Sequence, residues 1–388
     1  MHMSMRYIYA NYFHFNIVTH VFLFEFESYH LRGAKPFICY DSWDFIEPFV
    51  MFLGYDQSMS RRYRADVWKS NDKLIFINGM SWYFTTYYFT KNTFIHKDIV
   101  SNYVKICFMQ KYSELLRALL EKRGITDPAQ AEVFLNPDYV RDLHDPFLMR
   151  DMERACVRIF EAIDNKEKIV IYADYDCDGI PGAVILQDLF KKINYENVQV
   201  YIPERNSEGY GLNMEAVKML ADKGAKLLIT VDLGITAVGE VAQLEVDGVD
   251  VIITDHHLPP AILPRAYAIL NPKVDDYLEK MLCGAGVAFK LTQGFLKKYG
   301  EYFKVKDGAE KWMLDMAGLA TLSDMVPLVG ENRAIAYFGM LVLKKSPRPG
   351  LQKLLAKMNI DQRYLTEDDI GFMVTPRLNA ASRIRRAF

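Results

Sequence analysis

Residues Lys168 to Ala183 read KIVIYADYDCDGIPGA, and the fold follows from this stretch. Ile169-Val170-Ile171 is a β-branched apolar run, which predicts a short buried strand. Asp174, Asp176 and Asp178 follow at alternate positions, and Gly179 turns the chain toward a segment, Ala183 to Ile193, with the apolar spacing of a helix. Three carboxylates this close raise one another's pKa unless positive charge sits among them. Hard divalent cations with oxygen ligands supply it. A solvated acidic turn is the alternative for the motif taken alone.

The pattern repeats outward from there. Strands are expected at Lys168–Ala173, Val198–Pro203, Lys226–Val231, Asp250–Thr254 and Tyr267–Leu270. Helices are expected at Ala183–Ile193, Met214–Lys223 and Ala237–Val246. This alternation predicts an α/β fold, a doubly wound, mostly parallel five-stranded sheet with helices on both faces. Such sheets bind ligands beyond the carboxyl ends of their strands. The unusual polar residues lie at those ends: the aspartate trio after the first strand, Glu204-Arg205 after the second, Asp232 after the third and Asp255-His256-His257 after the fourth.

Taken singly, each residue has a plainer reading. Asp232 would cap a helix, the histidines would pack as a pair, and Asp255 would orient them. Asp324, after the apolar helix expected over Trp312–Leu319, would close a helical turn. As a set, carboxylates with one or two imidazoles fit Mn²⁺ or Mg²⁺, and the imidazole favours Mn²⁺. Two such ions a few ångströms apart activate a water and neutralise a phosphate.

Composition narrows the field. The chain has 388 residues, 51% of them hydrophobic and 25% charged, as in globular proteins, and its net charge of −2 excludes a generally basic nucleic-acid coat. The five cysteines never form a CxxC pair, which argues for reduced thiols and a cytoplasmic setting. Cys177, between two of the aspartates, is expected to point away from them and to be inert. No apolar run is long enough to span a bilayer, and the first residues lack a signal-peptide pattern.

Residues 1–108 differ in kind. They hold 28 of the 52 aromatic residues, in runs with neither helical nor strand periodicity. An aromatic platform for bases or a partner is one reading, and an appended segment upstream of a start at Met109 is the preferred one. Helices at Tyr112–Arg123, from Asp127-Pro128 onward and at Asp151–Ala162 form a helical lead-in over 109–165. The sheet domain is expected over 166–345. Residues 346–388 are expected to open a helical connector toward a second domain that the chain lacks.

Four segments together carry a resemblance. Asp174-Tyr-Asp-Cys-Asp-Gly179, Thr230-Val-Asp-Leu-Gly-Ile-Thr236, Thr254-Asp-His-His257 and Ser323-Asp324 resemble, in order, the motifs of the DHH phosphoesterase superfamily. Tyr201–Arg205, Glu208–Leu212, Asn271–Lys273, Cys283–Lys290 and Pro376–Arg383 resemble its RecJ-type single-strand-specific exonuclease branch. The likeness covers roughly Met109 to Arg383. It implies Mn²⁺ or Mg²⁺, two ions, on Asp176, Asp178, Asp232, His256 and Asp324, with Asp174 either a further metal ligand or a support behind the ligands, Asp232 bridging and Asp255 behind the histidines. It implies His257 at the scissile phosphate, so that Asp232 and His257 are the catalytic pair. Arg205, Arg377 and Arg383 are the implied phosphate contacts.

The implied activity is 5′→3′ hydrolysis of single-stranded DNA in recombination and repair, with a single-strand-binding protein or a helicase as protein partner. A small-substrate phosphodiesterase or phosphatase and a non-catalytic nucleic-acid-binding scaffold are the alternatives. The chain departs from the family at Tyr172, where many members have histidine. A tyrosine there is expected to pack against the sheet or hydrogen-bond a ligand. The Cys283-Gly-Ala-Gly286 segment is read either as a phosphate-binding helix N-terminus or as a close packing contact.

Overall fold

A computed structural model of the chain describes residues 112–274 and 276–384, together with strand segments within the first 111 residues. The chain divides into two compact units, Met1–Glu132 and Val133–Phe388. In the first, Ser4–Tyr9, Thr19–Glu25, Phe37–Ser42 and Glu47–Phe49 pair antiparallel in that order. The expectations for the side chains of residues 1–108, and for the basic residues after Ile384, lie outside the described residues. Helix α1, Glu114–Lys122, starts where the Ser113 hydroxyl accepts the Leu116 N–H at 3.3 Å. Helix α2, Pro128–Leu135, has proline at its first position, and Asp127 Oδ2 accepts the Gln130 N–H at 3.0 Å.

The second unit opens with α3, Tyr139–Asp142, and α4, Met152–Asp164. Strands β1, Lys168–Ala173, β2, Val198–Tyr201, and β3, Ala225–Val231, then alternate with α5, Gly179–Lys192, and α6, Met214–Asp222. Helix α7, Val238–Val246, leads to β4, Asp250–Thr254, and β5, Ala268–Leu270. The long α8, Gly284–Tyr299, is followed by α9, Leu314–Ser323, α10, Gly330–Leu343, α11, Pro349–Lys357, and α12, Thr375–Ile384.

The strands form one five-stranded sheet in the order β5-β4-β3-β1-β2, and every pairing is parallel. The sheet is therefore wholly, not mostly, parallel. Its strands alternate between two buried faces, which is why they read as nearly unbroken apolar runs. Ile169, Ile171, Leu227, Ile229 and Ile252 join one core with residues of α4, α5, α8 and α9. Val170, Tyr172, Leu228, Val251 and Ile253 join a second core with residues of α6 and α7. Each fully buried aliphatic side chain contributes about 1.5–3 kcal/mol.

The order has one reversal. The chain leaves β1 toward β2 on one side and returns to build β3, β4 and β5 on the other. The crevice beyond the β1 and β3 ends is the topological switch point, where doubly wound sheets bind ligands. Backbone bonds align the exits there. Asp174 N–H donates to Val231 O at 3.1 Å, Asp232 N–H to Thr254 O at 2.9 Å, and Asp255 N–H to Leu270 O at 3.1 Å. Three aspartates from three separate strands thus stand in a row along one rim.

Candidate metal centre

The acidic turn after β1 is fixed by its own carboxylates. Asp176 Oδ1 accepts the N–H groups of Asp178 and Gly179 at 2.8 and 2.9 Å, so it caps α5. This starts the helix at Gly179, four residues before the expected Ala183. Asp178 is buried, and its two oxygens take the first N–H groups of α8: Gly284 at 2.6 Å and Ala285 at 2.7 Å. The N-terminus of α8, one of two readings as a phosphate seat, is thereby filled by a side chain of the turn. The positive end of the helix dipole favours that carboxylate.

Asp232 occupies the left-handed region, with φ 62°. Aspartate is among the few residues that tolerate it, and the turn it makes aims the carboxylate into the crevice. Gly284 packs directly against it. A Cβ added there would lie 2.5 Å from Asp232 Cβ and 2.7 Å from Oδ1. Gly284→Ala is therefore expected to push α8 off both Asp232 and Asp178. The predicted loss is about 1–3 kcal/mol of stability, read as a lowered urea midpoint, with weaker Mn²⁺ binding by calorimetry. An unchanged midpoint would contradict this packing.

The histidines arrive from the β4 exit. His256 Nε2 stands 3.1 Å from Asp232 Oδ1 and 3.7 Å from Asp178 Oδ2, and its Nδ1 stands 3.8 Å from Asp324 Oδ2. Asp255 lies behind them. Its Oδ1 accepts the N–H groups of His256 and His257 at 2.7 and 3.1 Å and sits 2.7 Å from His257 Nδ1. Its Oδ2 accepts the Ile235 N–H at 2.9 Å. Asp324, the residue closing α9, is both a helix-terminal turn and a member of the cluster.

Three overlapping triads each place one ligand atom per residue within 4.8 Å of the others: Asp174–Asp176–Asp232, Asp232–His256–His257 and Asp178–His256–Asp324. Asp232 and His256 each belong to two of them. Asp174 Oδ1 and Asp232 Oδ1 are buried and accept no hydrogen bond, the 3.1 Å approach of His256 Nε2 to the latter lacking hydrogen-bond geometry. Such orphaned carboxylate oxygens are costly without a cation. The seven side chains of these triads, five carboxylates and two imidazoles, suit Mn²⁺ or Mg²⁺.

The electrostatics agree. Burial, with Asp176 adding to it, pushes Asp174 up to about 7. Burial and then Asp176 push Asp324 up to about 6. Asp232 is pushed well above the usual carboxylate range by burial and then by Asp178. His256 is pushed down to about 4 by burial and by the neighbouring His257 and Lys273, which leaves a neutral imidazole able to bind a cation. His257 moves upward, chiefly through its hydrogen bond to Asp255. Burial opposes ionisation of Asp255, yet that bond and the Ile235 N–H hold it below its ordinary value.

The arginines divide. The Arg205 guanidinium lies 4.8 Å from the centre of the Tyr175 ring, beside the acidic turn. Arg383 is exposed and acts electrostatically on the same tyrosine hydroxyl. Arg377 is exposed and turns back on its own helix entry, where Nη1 donates to Met373 O at 2.7 Å. Tyr172 is fully buried. Its hydroxyl donates to Gly211 O at 3.3 Å, and its ring packs 5.0 Å from that of Tyr201. It packs against the sheet, the first of its two expected placements. Cys177 turns inward, its Sγ 3.3 Å from Ser323 Oγ, and burial pushes the thiol up to about 11, so it is unreactive.

Four residues stand in the segments that carry the resemblance but receive no role from sequence alone. Tyr210 places its hydroxyl 3.3 Å from Asp232 O and 3.3 Å from His257 Nδ1. Asn379, on α12, accepts the Cys177 N–H at 2.8 Å and so braces the acidic turn. Asn271 and Lys273 hold the main chain of the two histidines. The available signals were Tyr210 between two glycines and Asn271-Pro-Lys273 at a strand exit.

Residues 168–321 match the DHH family, N-terminal domain. The single-stranded-DNA-specific exonuclease RecJ of Bacillus subtilis is 40% identical over 275 residues, 70% of this chain and 34% of that protein. Its Escherichia coli namesake is 34% identical over 280 residues, 70% of this chain and 47% of that protein. The chain thus spans between a third and a half of the length of these relatives. A crystal structure of exonuclease RecJ bound to manganese matches with a TM-score of 0.56 at 32% identity, over 62% of this chain and 59% of that one. The Thermus thermophilus RecJ structure with Mn²⁺ gives a TM-score of 0.58 at 29% identity, over 70% of this chain and 37% of that one.

Proposed function

We propose that this chain, a member of the DHH family by the domain at residues 168–321, is the phosphodiester-cleaving part of a RecJ-type exonuclease that degrades single-stranded DNA from its 5′ end. The observation that carries the reading is the convergence of Asp232 and His256 in overlapping ligand triads at the sheet's switch point. In this reading Asp174, Asp176, Asp178, Asp232, His256 and Asp324 would hold two ions of Mn²⁺ or Mg²⁺, and Asp232, which belongs to two of the triads, would serve both. When bound, they would activate a water toward phosphorus and offset charge on the phosphate.

The remaining work falls to the chain. His257 keeps one ring nitrogen on Asp255, which fixes the imidazole's bearing and raises its affinity for a proton. It is the group suited to deliver that proton to the departing 3′ oxygen. Arg205, stacked on Tyr175, is preorganised for bidentate contact with a backbone phosphate. Arg383 and Arg377 extend the grip along the strand. In the domain scheme, 109–165 leads into a catalytic domain over 166–345, and 346–388 connects onward. A cytoplasmic setting with a single-strand-binding protein or helicase as partner accords with the reading. Among the described residues no helix is long and apolar enough to cross a membrane.

Incubation of the chain with Mn²⁺ and 5′-labelled single-stranded DNA is expected to release labelled mononucleotide first, and duplex DNA is expected to persist. Faster cleavage of a dinucleotide than of a long strand would favour a small-substrate phosphodiesterase. Absence of both Mn²⁺ binding and cleavage would reject the enzymatic reading.

A further inference from the structure

The turn Asn271-Pro272-Lys273 follows β5 directly and engages the two histidines through their main chain, not their rings. Asn271 is fully buried, and its Nδ2 donates to His257 O at 3.0 Å. Lys273 Nζ donates to the carbonyl oxygen of His256. The turn is organised by its own bonds: Asn271 Oδ1 accepts the Lys273 N–H at 2.9 Å, and Asn271 O accepts the Val274 N–H at 3.0 Å.

Counting the polar groups of the His256–His257 dipeptide gives a closed set. Both N–H groups go to Asp255 Oδ1, at 2.7 and 3.1 Å, and both carbonyls go to the turn. The dipeptide lies past the end of β4 in an irregular segment, so no ladder holds it. Side-chain partners do so instead. A tilt of either peptide plane would swing the Cα–Cβ bonds and move the imidazoles off Asp232 and Asp324. The shortness of β5, three residues, fits this view, since its exit sets the turn beside the histidines.

We propose that Asn271 and Lys273 are positioning residues, a two-point clamp that fixes the bearings of both imidazoles by holding their backbone carbonyls. The clamp rests on the reading in which His256 holds a cation and His257 faces the phosphate. Asp255 restrains the dipeptide from its amide side and the clamp from its carbonyl side. Losing either half frees a rotation that the other cannot stop.

The test uses the full chain with Asn271→Ala, Lys273→Met and Lys273→Arg. Mn²⁺ affinity is measured by calorimetry, and kcat and KM on 5′-labelled single-stranded DNA. Asn271→Ala and Lys273→Met are expected to weaken Mn²⁺ binding about tenfold and lower kcat about 10- to 100-fold, the scale of outer-sphere substitutions at metal sites. KM for the strand should stay unchanged, and Lys273→Arg, which keeps a donor, should recover most of both losses. A merely structural lesion would lower the melting temperature without this split or this rescue. If Asn271→Ala fails to fold, Lys273→Met decides, because that side chain is half-exposed and its stem is retained. Wild-type Mn²⁺ affinity and kcat in the variants would overturn the clamp alone. A wild type that binds no Mn²⁺ would overturn the reading of the site and the clamp with it.

Discussion

Asp232→Asn is expected to abolish Mn²⁺-dependent release of nucleotides from single-stranded DNA, by at least about a thousandfold, the scale seen when a central catalytic group is removed. The substitution keeps shape and backbone. Asparagine accepts the φ of 62° as readily as aspartate, so the fold survives. It removes the one carboxylate common to the Asp174–Asp176–Asp232 and Asp232–His256–His257 triads, so calorimetry should show fewer Mn²⁺ ions bound.

A second readout separates this from simple damage. With cations chelated, the buried Asp232 carboxylate is crowded by Asp178 and Asp176 and holds its proton well above the usual range. At low pH it is protonated both folded and unfolded, and costs nothing. Above about pH 4 only the unfolded chain ionises freely, so stability falls as pH rises. The asparagine variant lacks that penalty. Its melting temperature in chelator should therefore exceed the wild type's, with a gap near zero at pH 4 that widens toward pH 8. Retained turnover, or a gap of opposite sign, would contradict the placement of Asp232.

Glu331→Ala is expected to cost about 3–5 kcal/mol, enough to unfold much of the population under mild conditions. Glu331 is fully buried on α10. It accepts from Lys290 Nζ at 2.8 Å, Tyr277 Oη at 2.7 Å and His144 N–H at 3.1 Å. Lys290, also fully buried, donates in addition to His144 O at 2.5 Å. Removing the carboxylate strands an ammonium in the core, where burial already drives its pKa down against the pull of Glu331. The double replacement Lys290→Met with Glu331→Leu removes both charges and should regain most of the loss in urea denaturation. A single variant as stable as the wild type would show that the pair contributes nothing.

The strands were legible because a parallel sheet covered on both faces demands apolar runs, and Asp250–Thr254 falls where the pattern places it. The second strand stops at Tyr201, two residues early, since Pro203 has no N–H to give. The acids and histidines of the rim were legible because topology carries every strand exit to one edge. The early start of α5 was hidden, since Asp176 had been read for its charge and not as a cap. Two readings stood open for the glycines at the start of α8. The anion that seats there is Asp178, 106 residues away, a pairing only tertiary structure reveals. Asn271, Lys273 and Tyr210 lie in segments that carry the resemblance, yet they received no role from sequence alone, for the same reason. They are polar loop residues without periodicity, and their meaning lies in what they touch.

The hydrogen bond from the Cys177 amide to Asn379 has a consequence for biosynthesis. The turn bearing the three aspartates emerges from the ribosome long before the residue that braces it. During translation the sheet can pair and bury its cores while that turn still lacks its support. The rim of acids and histidines therefore gains this brace only once residue 379 has emerged, some two hundred residues after the turn that it supports.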